Sequence, residues 1–153
     1  MSLINRKRRR PTATHALHVG MMLHQAASRW QRTANETLSE LGINHTQYLI
    51  LWGIHTLRLE DFTPTQVEVS SFTGTDVMLT SKTLRTLEDL GLVIRVPHPT
   101  DTRARCISLS DLGVSTFQLA ESLVSDVEHR LFGHADQEAL RTNLVALLGT
   151  VPF

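Results

Sequence analysis

Apolar residues recur at helical spacing along most of this chain. Between residues 12 and 41, Leu17, Met21, Met22, Ala26, Trp30, Ala34, Leu38 and Leu41 fall in one stripe, with Thr37 beside them. That is the rhythm of an amphipathic helix. Gly42 predicts its end, because glycine tolerates the left-handed conformation that closes helices. A helix of this length is more than a small domain needs for its own core, which points to pairing with a second chain.

The next stretch, INHTQYLILWGIHTL, begins with a helix-start signature. Asn44 can cap the orphan amides, Gln47 can complete a capping box, and Ile43 and Tyr48 are placed as a hydrophobic staple. In TPTQVEVSSF, Thr63 is expected as the cap, Pro64 at the first helical position and Gln66 closing the box. Gly74 keeps that helix short. Thr75 is expected to open another, TDVMLTSKTLRTLEDLGL, which Gly91 ends. Two short helices around a glycine-containing turn give the helix-turn-helix outline.

After Gly91 the period changes. LVIRVPH and ARCISLS read as two short strands around a charged tip, Pro99–Arg105. Ser110 then starts a long helix that runs to Gly133, and DQEALRTNLVALL forms a last helix that ends at Gly149. The expected fold is mainly α with a small β-hairpin, and the outer helices come from both ends of the chain.

Two places in this pattern carry chemistry. On the helix from Thr75, the positions Val77, Thr80, Leu84 and Leu87 share a face expected to be core. Met78, Ser81, Lys82 and Arg85 lie on another face, at spacings of three and four. An α-helix fits the DNA major groove. Ser81 can bond to a base or a phosphate, Lys82 and Arg85 can meet guanine or phosphates, and Met78 can contact a thymine methyl. The same face also reads as a solvated one. On the hairpin tip, Arg103 can enter a minor groove, where negative potential attracts arginine. Asp101 can orient that guanidinium through paired hydrogen bonds. Arg105 can face a phosphate or only solvent.

Charge adds one asymmetry. The chain has 153 residues, 41% of them hydrophobic and 20% charged, and its formal net charge is zero. Residues 6–10, RKRRR, hold five of the fifteen basic residues, so the remainder has ten against fifteen acidic, a net of −5. Arg6, Lys7, Arg8, Arg9 and Arg10 form either a polyanion-binding arm or a solvated tail. No apolar run is long enough to span a membrane, and no apolar segment follows the basic run as a secretory signal requires. The single cysteine, Cys106, excludes an internal disulfide. Together these favour the cytoplasm.

The run LRTLEDLGLVIRVPHPTDTRARCISLSDLG joins several of these features at fixed spacing. It holds Leu87-Glu88, Gly91-Leu92-Val93, Arg95, Asp101-Thr102-Arg103 and Leu109-Ser110-Asp111-Leu112-Gly113. This composite resembles the MarR family of winged helix-turn-helix transcriptional regulators. With the order of the flanking helices, the resemblance covers most of residues 12–150. It implies a homodimer whose outer helices form a dimerisation lobe. It also implies a recognition helix from Thr75 bearing Met78, Ser81, Lys82 and Arg85, and a wing bearing Asp101, Arg103 and Arg105. One departure is Thr80, where members often carry an aliphatic residue. Another is the apolar run Val77, Met78, Leu79, where members are often polar.

The family's effector pocket lies between the dimer and DNA-binding lobes and commonly takes small aromatic acids or phenols. Trp30, Tyr48, Trp52 and His55 are the matching candidates, and core packing explains Trp52 equally well. Cys106 is expected to be a packed structural residue. His15, His18 and His24, with His129 and His134, have chelating spacing, but the ligand set is incomplete and no metal or other cofactor is expected. No catalytic constellation appears, so no enzyme activity is expected.

The reading is a basic arm at 1–11, a dimerisation helix at 12–42, a winged helix-turn-helix lobe at 43–110 and dimerisation helices at 111–153. Its function would be that of a cytoplasmic homodimer, acting as a repressor on double-stranded DNA. The operator would be pseudo-palindromic, with half-sites about 10 base pairs apart. A small aromatic or phenolic ligand would release it. The alternative is a winged-helix module for protein–protein interaction without specific DNA binding.

Overall fold

A computed structural model describes residues 18–59 and 63–149. Among these the order is α1 Val19–Leu38, a single 3-10 turn Ser39–Leu41, α2 His45–Leu59, α3 Gln66–Thr73 and α4 Val77–Asp89. It continues with β1 Val93–Pro97, β2 Arg105–Leu109, α5 Asp111–Phe132 and α6 Gln137–Leu148. The fold is mainly helical with a two-stranded antiparallel hairpin, as the periodicity predicts. Gly42 closes the first helical segment with φ 71°, the left-handed conformation expected of it.

Local chemistry explains the starts of α2 to α5. Asn44 Oδ1 accepts the Gln47 N–H at 2.9 Å and Gln47 Oε1 accepts the Asn44 N–H at 2.8 Å, the predicted reciprocal box. Ile43 and Tyr48 are both buried beside it. The start of α3 departs from expectation. Its cap is Thr65, not Thr63, and the box closes through Glu68, not Gln66. The Glu68 carboxylate accepts from the Thr65 N–H and hydroxyl, both at 2.7 Å. Pro64 therefore precedes the helix, with its carbonyl accepting the Ile107 N–H at 2.8 Å. That bond commits the Pro64 carbonyl to β2, and the helix begins after the Thr65 cap.

The start of α4 also shifts by one residue. Asp76, not Thr75, is the cap. Its carboxylate accepts the N–H groups of Met78 at 2.9 Å and Leu79 at 3.1 Å. Thr75 is already engaged, its carbonyl by Ser70 Oγ at 2.7 Å and its hydroxyl with Thr73 at 2.9 Å. Val77, expected in the core, is 46% exposed. Helical side chains tilt toward the N-terminus, so the first residue overhangs the end of its helix. The buried face of α4 begins at Thr80 and continues through Thr83, Leu84 and Leu87.

One core joins the elements. Leu38, Ile50, Ile54, Leu84, Ile107 and Phe117 are fully buried in it. It connects the outer helices α1 and α5 to α2, α4 and the hairpin. In the hairpin Val93 faces Leu109 and Val96 faces Cys106. A bridge from Thr65 to Cys106 adds a short third edge. The hairpin is tied to α5 where Ser110 caps it. Ser110 Oγ donates to the Gly91 carbonyl at 2.6 Å and accepts the Gly113 N–H at 2.9 Å.

The two ends of the described chain differ from this core. In α1 only Ala34 and Leu38 are buried, while Val19, Met21, Met22 and Leu23 are exposed. In α6 no residue is buried.

Candidate nucleic-acid interface

Burying Thr80, Thr83, Leu84 and Leu87 turns the opposite side of α4 to solvent. Met78 (78% exposed), Lys82 and Arg85 stand along that outward line, with the half-buried Ser81 at its edge. Met78, Leu79, Ser81, Lys82 and Arg85 line a shallow concavity of about 420 Å³. Four of the five recognition-helix residues expected from the sequence thus come together. Thr75 does not join them, since it precedes the helix and its polar groups bond to α3.

The wing is built by its own backbone bonds. His98 Nδ1 accepts the N–H of Asp101 at 3.1 Å and of Thr100 at 3.3 Å. The Ala104 N–H donates to the Asp101 carbonyl at 3.1 Å, and the His98 N–H to the Ala104 carbonyl at 3.2 Å. Asp101 was expected to brace the Arg103 guanidinium. Instead its carboxylate accepts the Arg103 backbone N–H at 2.9 Å. A short aspartate reaches the amide two residues on, so it shapes the turn. Asp101, Arg103 and Arg105 are all exposed.

His98 escaped the sequence reading. An imidazole that accepts two loop amides has no signature beyond lying three residues before an aspartate. Arg95 also gains a definite place. It pairs with Glu88 at 3.4 Å and ties β1 to the end of α4.

The basic residues Arg6, Lys7, Arg8, Arg9 and Arg10 lie outside the described residues, as does His15. Cys106 is buried, 7% exposed, which fits a packing role. Among the described residues no group of histidines, cysteines and carboxylates is arranged to hold a metal. None of the described helices is long and apolar enough to cross a membrane.

The four aromatic candidates have different ring partners. Tyr48 and His55 both pack on Phe117, with centroids 6.1 and 4.5 Å away. Trp52 stacks on Phe72 of α3 at 5.1 Å. Trp30 meets His45 edge-on at 4.8 Å and lines a groove of about 730 Å³ between α1, α5 and α6. Tyr48, Trp52 and His55 share one stripe of α2 at spacings of four and three, and their ring partners come from two different helices, Phe117 of α5 and Phe72 of α3. The structure adds His45. The Trp30 Nε1 and His45 Nε2 atoms are buried without a hydrogen-bond partner. Burial lowers the His45 pKa. Burial and the nearby carboxylates of Glu121 and Glu128 push the Tyr48 hydroxyl up to about 12.

Helices α3 and α4, the hairpin tip and its ion-paired tether together define a winged helix-turn-helix protein. Comparison with known proteins agrees. The MarR family model matches residues 43–104. The chain is 31% identical over 116 residues to the uncharacterized HTH-type transcriptional regulator YdcH of Bacillus subtilis (strain 168), covering 76% of this chain and 79% of that protein. Its fold superposes on a mutant MarR from E. coli complexed with operator DNA, with TM-score 0.73 and 25% identity, over 87% of this chain and 93% of that one. It also matches CouR from Rhodococcus jostii RHA1 bound to p-coumaroyl-CoA, with TM-score 0.74 and 20% identity, over 86% and 90% of the two chains. This chain belongs to the MarR family of winged-helix transcriptional regulators.

Proposed function

We propose that the protein is a cytoplasmic homodimeric repressor that binds a pseudo-palindromic operator in double-stranded DNA and leaves it when a small aromatic or phenolic ligand binds. The observation that carries this reading is the alignment of Met78, Lys82 and Arg85 on the outward line of α4, beside a wing that extends Arg103 and Arg105. The helix suits a major groove, and the wing arginines suit the neighbouring minor groove or phosphates. The likeness to a MarR complexed with operator DNA supports it. The arm, Arg6 to Arg10, is assigned a salt-sensitive contact of its own. Its deletion should cost affinity at low salt, and unchanged binding there would remove it from the interface.

The division of the chain follows the same reading: arm 1–11, dimerisation helix 12–42, DNA-binding lobe 43–110 and dimerisation helices 111–153. Exposed apolar side chains on α1 and the absence of any buried residue on α6 support a second copy as their cover. The ligand would sit at the junction of Trp30 and His45, where two buried nitrogens lack partners. The bound p-coumaroyl-CoA of CouR supports a ligand with an aromatic acyl group. Such a ligand releases DNA only as far as it prefers the non-binding geometry. Aromatic acids added to free and DNA-bound protein should bind the free form more tightly, and equal affinity would remove them as effectors.

The test of DNA binding is Arg103→Ala, titrated with genomic fragments over a range of salt. The variant should keep its fold, bind more weakly and show a shallower salt dependence, since each lost phosphate-type contact lowers the slope by about one. Wild-type binding by this variant at every salt concentration would remove the wing from the interface. The exposed Met78 and Leu79 favour the second reading, a protein–protein module. Failure of the wild-type protein to retain any DNA at low salt would favour it.

A further inference from the structure

The reading face of α4 has an unusual first turn. Val77, Met78 and Leu79 are 46%, 78% and 45% exposed, and the cations follow only at Lys82 and Arg85. The N-terminal residues of a recognition helix are those that reach base edges in the major groove. Here they have no side-chain donor, and no acceptor beyond the weak thioether of Met78.

The backbone of that turn cannot take the place of polar side chains. The open amides of a helix start ordinarily suit a phosphate. In α4 the N–H groups of Met78 and Leu79 are taken by the Asp76 carboxylate at 2.9 and 3.1 Å. That carboxylate also repels a phosphate. What remains at the leading end of the helix is apolar surface, in a concavity that Lys82 and Arg85 border and hold against a polyanion.

Only one apolar group projects from base edges in the major groove, the C5-methyl of thymine. We propose that Met78 is a specificity-determining residue that reads thymine methyl groups, with Leu79 and Val77 flanking it. The operator half-site would then carry thymine beneath the first turn of α4. This inference rests on the DNA-binding reading above. Met78 leads the outward line, and its unbranched thioether side chain adapts to the spacing between neighbouring methyls. Leu79 and Val77 lie to either side of that line and close the contact to water.

The experiment removes the methyl and nothing else. The tightest duplex selected from a random DNA pool is prepared again with deoxyuridine in place of thymidine, which preserves every hydrogen-bonding group and phosphate. Both duplexes are titrated with the wild-type full-length protein and with Met78→Ala. Because Met78 is largely exposed, that variant should fold as the wild type does, which circular dichroism checks. The wild type should bind the uracil duplex more weakly, by about fourfold for each methyl lost from an apolar contact. Met78→Ala should bind the thymine duplex less tightly and discriminate much less between the two.

Equal wild-type affinity for both duplexes would overturn the assignment. So would full discrimination by Met78→Ala, because the uracil effect would then come from DNA shape. If selection yields no sequence bound above random DNA, the DNA-binding reading fails instead, and the two failures are distinguishable.

Discussion

At the scale of single residues, partners decide what a side chain does. Asp101 and Arg103 have the spacing of an ion pair, yet the carboxylate bonds to a backbone amide at 2.9 Å. Arg103 itself is exposed at the tip. His45 has a more measurable consequence. Its ring is partly buried against Trp30, its Nε2 has no partner, and burial lowers its pKa from the ordinary 6.5. Protonation therefore favours the unfolded chain. This contribution to stability is complete above pH 6.5, is lost as the pH falls below that value, and levels off beneath the lowered folded-state pKa. Thermal melts from pH 7.5 to 5 should show His45→Gln losing less stability on acidification than the wild type. Parallel slopes would mean that other groups carry the acid sensitivity. Both residues were visible in the sequence, but neither their partners nor their burial was.

At the scale of elements, the periodic signals were largely legible and the caps less so. Helix α2 starts where Asn44 and Gln47 predict. Helices α3 and α4 start later than predicted, because Pro64 is committed to β2 and Thr75 to α3. Gly113 shows a motif residue whose reason lies in another element. A Cβ at this position would drive into the Leu92 carbonyl of the segment entering β1. The first turn of α5 can approach the hairpin so closely only without a side chain there. Gly113→Ala is expected to destabilise the fold by about 1–3 kcal/mol, the usual cost of overpacking. Denaturant midpoints check this, and a midpoint matching the wild type would show that the junction yields without strain. Ser110 binds both Gly91 and Gly113, so this junction joins the end of α4 to the start of α5.

At the scale of the whole molecule, the described chain is satisfied in the middle and unsatisfied at its ends. Helix α6 buries no residue, and Val145 and Leu148 are 62% and 56% exposed. They border the groove of about 730 Å³ beside Leu23 and Trp30. An amphipathic helix with no buried residue gains little from its own chain, which supports the proposed two-fold partner as its cover. Under that proposal Val145→Glu places a carboxylate from each copy in an apolar interface. Sedimentation should show the dimer dissociation constant raised by about two orders of magnitude or more. Specific DNA affinity should fall with it, because two half-sites would no longer be held together. A variant that remains dimeric at the wild-type concentration dependence would move the interface elsewhere.

Apolar periodicity and helix-start residues determined, without any coordinates, the number and order of the helices, the hairpin between α4 and α5, and the outward placement of Met78, Lys82 and Arg85. These are local properties, because a helix face is set by a repeat of 3.6 residues and a cap by its neighbours. Tertiary structure alone decided that Val77 leaves the core, that Asp101 shapes the wing while Arg95 tethers it, and that Trp30 meets His45 while Trp52 stacks on Phe72. Each of these depends on which element packs where. Side chains far apart in the chain compete for the same space and the same hydrogen bonds, and that competition is settled only when the core closes.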